Sequence, residues 1–294
     1  MPELPEVETI RRGLLPHIVG KSISAATVFS ATSAATSSSV QNELSYFTSV
    51  LEGNQFSDIQ RRGKLLIFRL SRGEERLLLH LKMTGQLLYV PALTTQVAVA
   101  GGHSFSQGEM VLPGKHTRVQ FSFEDGGQLF FNDMRRFGFL HLVSPTEFER
   151  VEARFGIEPG LANFTLENFE KLLKSSRSVK AVLLDQTKIA GLGNIYVDEA
   201  CFRAGIRPDR PVNKVVKSKL TALFTAVQDV IKLAIEQRGT TFRDYRDSEG
   251  EQGNFKHFLQ VYGREGQSCV QCSQPIVKSK HAGRGTHFCA TCQQ

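Results

Sequence analysis

No stretch of this chain stays apolar for the 18 or so residues that a membrane-spanning helix requires, so an α-helical membrane protein is excluded as the expectation. The first 20 residues lack the apolar segment of a secretory signal and carry Glu3, Glu6 and Glu8 instead. A cytoplasmic protein is therefore expected. No internal repeat is evident, which removes repeat architectures. Cysteine is scarce over most of the chain: Cys201 stands alone until the last 26 residues, which hold the other four. Cys201 lies in an apolar helical stretch and reads as core.

What is present fills in the rest. The 294 residues, 40% of them hydrophobic, suffice for two ordinary domains and a small appendage. Lys and Arg number 36 against 29 acidic residues, a formal charge of +7 that favours a polyanionic partner such as nucleic acid.

The opening MPELPEVETIRRGLLP reads as a short helix. Pro5 suits its first position, Val7, Ile10 and Leu14 share a face, and Pro16 is expected to stop it. Glu6 and Glu8 sit in its first turn and Arg11 and Arg12 nearer its end, as the helix dipole favours. Residues 30–39 read as a low-complexity loop. From 59 onward the texture is β. LLIFRL–SRGEE–RLLLHL and VQFSF–EDGG–QLFFND read as hairpins, with Val119, Phe121 and Phe123 alternating. Residues 92–116 read as a long loop between them. After Pro145 the pattern turns helical: 166–174, 179–184, a helix opening near Asn194, and a longer one over 217–237. That last helix places Leu220, Leu223, Phe224, Val227, Ile231 and Ala234 on one face, with Gly239 at its end. Residues 240–254 are polar and aperiodic.

Four groups of residues carry chemistry. Cys269 and Cys272, then Cys289 and Cys292, form two C-x-x-C knuckles 16 residues apart. Two such knuckles complete a tetrahedron around one Zn2+, and four thiolates leave no open position, so the zinc is structural. Five Lys or Arg and one Glu between 255 and 294 suit a finger that meets DNA. In AGLGNIY, Gly191 and Gly193 allow a tight turn ahead of Asn194, whose helix start offers free N–H groups to an anion. Arg61, Arg62 and Lys64 gather at a glycine turn, either as a phosphate clamp or as a solvated cluster. In NDMRRFGF, Arg135, Arg136 and Phe137 end a hairpin. Phe137 is either a core residue or a wedge filling the gap left by an extruded base.

Pro2 raises a separate possibility. Once Met1 is removed, it presents a secondary amine that can condense with a sugar aldehyde carbon, and the resulting iminium acts as an electron sink. A free α-amine titrates at about 7.7–8.0. The helix start would lower that value, and Glu3 and Glu6 would raise it. The alternative is an inert terminus.

Taken in order, PELPEVE, RRGKLL, HLKMTG, NDMRRFG, DQTKIAGLGNIYVDEACFRAGIRP, RGTTFRDY, VYGREG and the terminal finger with KHAGRGTHFC resemble the bacterial formamidopyrimidine-DNA glycosylase family over nearly the whole chain. The resemblance implies an α+β fold: an N-terminal β-sandwich with flanking helices over 1–150, a helix–two turns–helix DNA-binding domain over 151–254, and a zinc finger over 255–294. It implies a monomer that removes oxidised purines from damaged double-stranded DNA and then cleaves the strand. Pro2 would be the nucleophile and Glu3 the acid/base, with Glu6 supporting the site. Lys64 would be the catalytic-loop lysine holding a phosphate. Asn194, Tyr262 and Arg284 would hold further phosphates, and His103 and Arg136 would add DNA contacts. Met83, Arg135 and Phe137 would fill the void left by the flipped base, and 240–253 would close over that base. Lys82 and Met134 depart from the pattern, standing where glycine and proline are common, and the loops at 30–39 and 92–116 look long. A sister enzyme for oxidised pyrimidines and a non-catalytic DNA-binding protein are the competing readings.

Overall fold

The structure, a computed structural model, describes residues 1–29, 39–94, 99–102, 111–240 and 253–294, with backbone alone at 99 and 100. It contains two compact units, one formed by Met1–Glu152 and the other by Ala153–Thr240 with Asn254–Gln294. His103, most of 30–39, part of 92–116 and nearly all of 240–253 lie outside the described residues.

The first unit opens with α1 (Leu4–Ile18), followed by β1 (Ile23–Val28), α2 (Leu44–Leu51), β2 (Phe56–Arg62), β3 (Leu65–Leu70), β4 (Arg76–His80), β5 (Gly85–Val90), β6 (Val99–Gly102), β7 (Thr117–Phe123), β8 (Gln128–Asp133), β9 (Phe139–Val143) and α3 (Pro145–Glu152). The strands form a five-stranded sheet in the order β1-β7-β8-β5-β6 and a four-stranded sheet in the order β2-β3-β4-β9. Both expected hairpins are present, as β3–β4 and β7–β8. The two inner faces share one core. Ile59, Phe68, Leu77 and Leu79 come from one sheet, and Leu87, Val119, Phe121 and Phe131 from the other. The β-sandwich is thus built by period-two alternation, and α1 and α2 cover it through Val7, Ile10, Leu14, Phe47 and Leu51.

Two local expectations are corrected. Pro16 does not stop α1, which runs on to Ile18. Proline forfeits one helical hydrogen bond, but here it does so in the last turn, and the fully buried Ile18 beyond it repays the loss by about 1.5–3 kcal/mol of burial. Pro5 accordingly occupies the second helical position, behind Leu4. The stretch expected as one loop over 92–116 contains β6, which pairs antiparallel with β5.

The second unit holds α4 (Leu166–Leu172), α5 (Val179–Leu183), α6 (Asn194–Arg203) and α7 (Lys217–Glu236), then β10 (Val277–His281) and β11 (Arg284–Phe288). Thr165 and Ser178 cap α4 and α5 through their hydroxyl oxygens, as short helices need. Along α7, Leu223, Val227, Ile231 and Ala234 are buried as their spacing predicts, joined by Ala226 and Val230. The finger's hairpin turns at Ala282 and Gly283, both with positive φ (50° and 71°), the geometry a two-residue turn between twisted strands demands. No helix among the described residues is long and apolar enough to cross a membrane.

Candidate functional site

At the chain start, Glu3 is the N-cap of α1. Its backbone N–H donates to Glu6 Oε2 at 2.9 Å, and its own carboxylate accepts from the backbone of Glu6. This reciprocal pair satisfies donors that a helix start leaves orphaned. Pro2 lies immediately ahead of that positive helix end and is buried, and Glu3 is only 3% exposed. A carboxylate so enclosed and capped is held in one place.

One acidic residue of this helix, expected in the first turn to suit the helix dipole, lies beyond that turn and has a different task. Glu8, 7% exposed, accepts from Arg12 Nε (2.7 Å), from Arg11 Nη2 and Nε (2.9 and 3.1 Å), and from Arg61 Nε (3.1 Å). Arg61 Nη1 in turn donates to the Gly63 carbonyl at 3.0 Å. Gly63 and Lys64 form the two-residue turn of the β2–β3 hairpin, and Gly63 (φ 57°) occupies the position that needs a positive φ. Glu8 therefore ties α1, whose N-cap follows Pro2, to the turn that presents Lys64. Of the three basic residues at this turn, Arg61 is engaged within the protein, while Arg62 and Lys64 are buried there. The i,i+3 and i,i+4 arginines were visible in the sequence, but Arg61 was not, because it lies 53 residues away.

Burial pushes the Glu8 carboxyl upward, but the guanidiniums of Arg11, Arg12 and Arg61 outweigh it and take it down to about 2. Because the folded value lies below the ordinary 4.5, the stabilisation is complete above that pH and disappears as pH falls through about 2. Glu8→Gln is expected to cost about 2 kcal/mol at pH 7, since it leaves the partly buried guanidiniums of Arg11 and Arg61 without their counter-charge. Urea unfolding checks this: the gap between parent and variant at pH 7 narrows at pH 3.5.

Met83, Arg135 and Phe137 come together on the loops that follow β4 and β8. Arg135 Nη1 lies 3.2 Å from Met83 Sδ, and its guanidinium carbon sits 4.7 Å from the Phe137 ring centroid. Phe137 is 53% exposed, so the core reading of this residue is set aside. A buried carboxylate fixes the loop. Asp133 accepts from Thr84 Oγ1, from the Arg135 N–H at 3.1 Å and from the Gly138 N–H at 2.7 Å. A Cβ on Gly138 would lie 2.7 Å from the Phe131 ring, so glycine is needed there to let the loop close. Arg136, exposed beside this cluster, adopts a left-handed backbone (φ 57°). Asp133→Ala is expected to leave the sandwich folded with a loss of about 2–3 kcal/mol and to release the Arg135–Phe137 segment. Amide exchange at Arg135 and Gly138 would report that release.

The second unit gathers its own predicted contacts. Asn194 opens α6 behind Gly193 at the N-cap, and its Nδ2 donates to the Gly285 carbonyl at 2.9 Å. Gly191 takes the positive φ of the turn (91°), with its N–H bound to Gln186 Oε1. Gly285 follows the exposed Arg284, so Asn194 and Arg284 become neighbours. The fully buried pair Lys180 Nζ–Asp198 Oδ1 (2.6 Å) supports them: Lys180 also donates to Gly285 O, and Asp198 Oδ2 accepts the His287 N–H. Tyr262 is fixed by Glu199, which accepts the backbone N–H groups of Gln260, Val261 and Tyr262. Burial raises the Glu199 carboxyl, and those three N–H bonds oppose the rise. Cys201 is buried in the same helix, and burial holds its thiol well above the usual range, as a core residue.

The sulfurs of Cys269, Cys272, Cys289 and Cys292 all lie within 4.8 Å of one another. Their separations of 3.9 Å (Cys269–Cys292) and 3.4 Å (Cys272–Cys289) fit four thiolates about 2.3 Å from one metal ion. This is the site of one structural zinc.

Three family models match in chain order. They are the formamidopyrimidine-DNA glycosylase N-terminal domain over residues 1–140, the H2TH domain of the same glycosylase over 155–246, and a zinc finger found in FPG and IleRS over 266–294. Formamidopyrimidine-DNA glycosylase of Geobacillus kaustophilus is 41% identical over 303 aligned residues, and that of Carboxydothermus hydrogenoformans is 40% identical over 296, each pair covering both chains fully. Lactococcus lactis Fpg, solved with DNA containing N7-benzyl-Fapy-dG, is 35% identical with a TM-score of 0.84 over 100% of both chains. The same protein solved with abasic-site DNA gives 0.84 over 99% of both.

Proposed function

The chain belongs to the formamidopyrimidine-DNA glycosylase family, and from that premise we propose that it works on damaged double-stranded DNA through an N-terminal proline imine. It is a base-excision repair glycosylase of oxidised purines. The observation that carries the reading is the full-length match to that family in a chain that sets Pro2 and an enclosed Glu3 at a helix start.

Removal of Met1 would free the Pro2 nitrogen. That nitrogen attacks C1′ of the flipped nucleotide as the glycosidic bond breaks, and the electron pair leaves with the base. Glu3 passes the proton, and Glu6 holds Glu3 through the reciprocal cap. The C1′–O4′ bond then breaks, O4′ takes a proton from Glu3, and the opened sugar is left as an iminium on Pro2. As an electron sink it acidifies C2′, whose proton passes to a base as the 3′ phosphate departs. A second elimination at the 5′ side leaves a one-nucleotide gap. Lys64, Asn194, Tyr262 and Arg284 hold phosphates, while Arg136 adds a backbone contact. Met83, Arg135 and Phe137 fill the emptied stack, with Arg135 facing the orphaned cytosine. The division into 1–150, 151–254 and 255–294 follows these tasks: chemistry, helical DNA grip and metal-stapled grip. The protein acts as a monomer in the bacterial cytoplasm.

Competition between two duplexes tests the substrate class. Faster cleavage of an 8-oxoguanine:cytosine duplex than of a thymine-glycol duplex, by at least about tenfold (1.4 kcal/mol), is the expected result. Dominant thymine-glycol cleavage would assign the chain to pyrimidine repair.

A further inference from the structure

We propose that Lys82 is an additional DNA-backbone contact, a cation at the root of the Met83–Arg135–Phe137 cluster that takes a phosphate near the flipped nucleotide. The inference rests on the reading of the protein as a DNA glycosylase.

Lys82 lies in the turn joining β4 to β5, directly before Met83, with φ at 50°. Glycine occupies that left-handed region without strain, whereas a lysine does not. Strain of this kind persists where surrounding structure enforces it, and it gathers at working sites. The enforcing partner is visible: His80 Nδ1 accepts the Lys82 N–H at 2.9 Å. That bond requires an unprotonated Nδ1. Burial, with the charges of Lys82 and Lys64 added, pushes the His80 imidazole down to about 3, so it stays neutral and keeps the acceptor.

The charge balance around this turn points the same way. Lys82 Nζ stands 5.7 Å from the Phe139 ring, and among the described residues no carboxylate pairs with it. Lys64 acts on the same histidine, so two ammonium groups share one neighbourhood. Met83, Met134 and Phe137 are exposed alongside, together with Arg135 and Arg136. Exposed apolar side chains interleaved with cations suit a surface that meets stacked bases and phosphates together. Lysine at this position adds a charge to the turn at the cost of backbone strain.

The test measures binding to a duplex with a tetrahydrofuran abasic analogue, which cannot be excised, across a salt series, with thermal unfolding alongside. Lys82→Gly and Lys82→Gln are compared with the parent. Both variants are expected to bind about 3- to 10-fold more weakly at moderate salt. The slope of log K against log salt should be shallower by about one phosphate contact, near 0.9. Lys82→Gly should also melt at a higher temperature than the parent, because the strain is relieved. Affinity and slope equal to the parent's in both variants would overturn the proposal. A loss confined to Lys82→Gly would also overturn it, since the turn and not the charge would then be responsible. The parent's own preference for the abasic over the undamaged duplex tests the glycosylase reading separately. Absence of that preference sinks that reading, whatever the variants do.

Discussion

Glu3→Gln should reduce base excision by about 10²- to 10⁴-fold, the usual worth of a positioned acid/base, while folding and DNA binding persist. This substitution is informative because the proposed mechanism gives Glu3 a second task, separable from its place in the fold. As N-cap it must accept the backbone N–H of Glu6, and an amide oxygen can do that. As acid/base it must gain and lose a proton, which an amide cannot do. The loss should therefore appear in kcat, with the melting temperature close to the parent's and the affinity for an abasic-analogue duplex retained. Single-turnover excision of 8-oxoguanine, run beside thermal unfolding, measures both. A variant that excises at the parental rate would remove Glu3 from the chemistry.

Loss of the metal should have an effect of similar size by a different route. The finger's own core is small: Cys269, Cys289 and Ile276 cluster with Val261 and Phe202, with Cys272 and Cys292 packed at its edge. So little burial does not fold a segment of this length without a metal, and structural zinc typically contributes about 10–16 kcal/mol of apparent binding energy. Unfolding would not stay local. Gly285 receives Lys180 and Asn194, and the His287 N–H satisfies Asp198. If β11 is lost, a buried ion pair in α5 and α6 loses its outer hydrogen bonds, and Asn194 and Arg284 are no longer held together. Chelation, or Cys289→Ser, should lower affinity for the abasic-analogue duplex by at least about 100-fold, or 2.7 kcal/mol, with release of one zinc per chain. Full binding by zinc-free protein would show that the finger folds and grips without its metal.

Much of this was legible from local pattern. Periodicity located α4 to α7 and both long hairpins, because each buries its own face against a nearby element. The C-x-x-C spacing located the metal site, since each knuckle is a local fold. What escaped depends on distant partners. Pro16 remains within α1 because Ile18 is buried in the sandwich core, most of whose residues come later in the sequence. β6 has little pattern of its own, and its pairing with β5 makes it a strand. Glu8 looked like a first-turn acid, and only the approach of Arg61 makes it the tie between the helix start and the Lys64 turn. Phe137, in an aromatic-rich hairpin, is indistinguishable in sequence from the buried Phe130 and Phe131. It is exposed because the loop folds around Asp133.

The central claim is a covalent bond from the Pro2 nitrogen to deoxyribose, and borohydride trapping on an abasic duplex measures it directly. The account predicts one protein–DNA adduct, with peptide mass spectrometry placing it on a chain that begins at Pro2. No adduct from protein whose first residue is verified as Pro2, or an adduct mapped to a lysine such as Lys64, would contradict it.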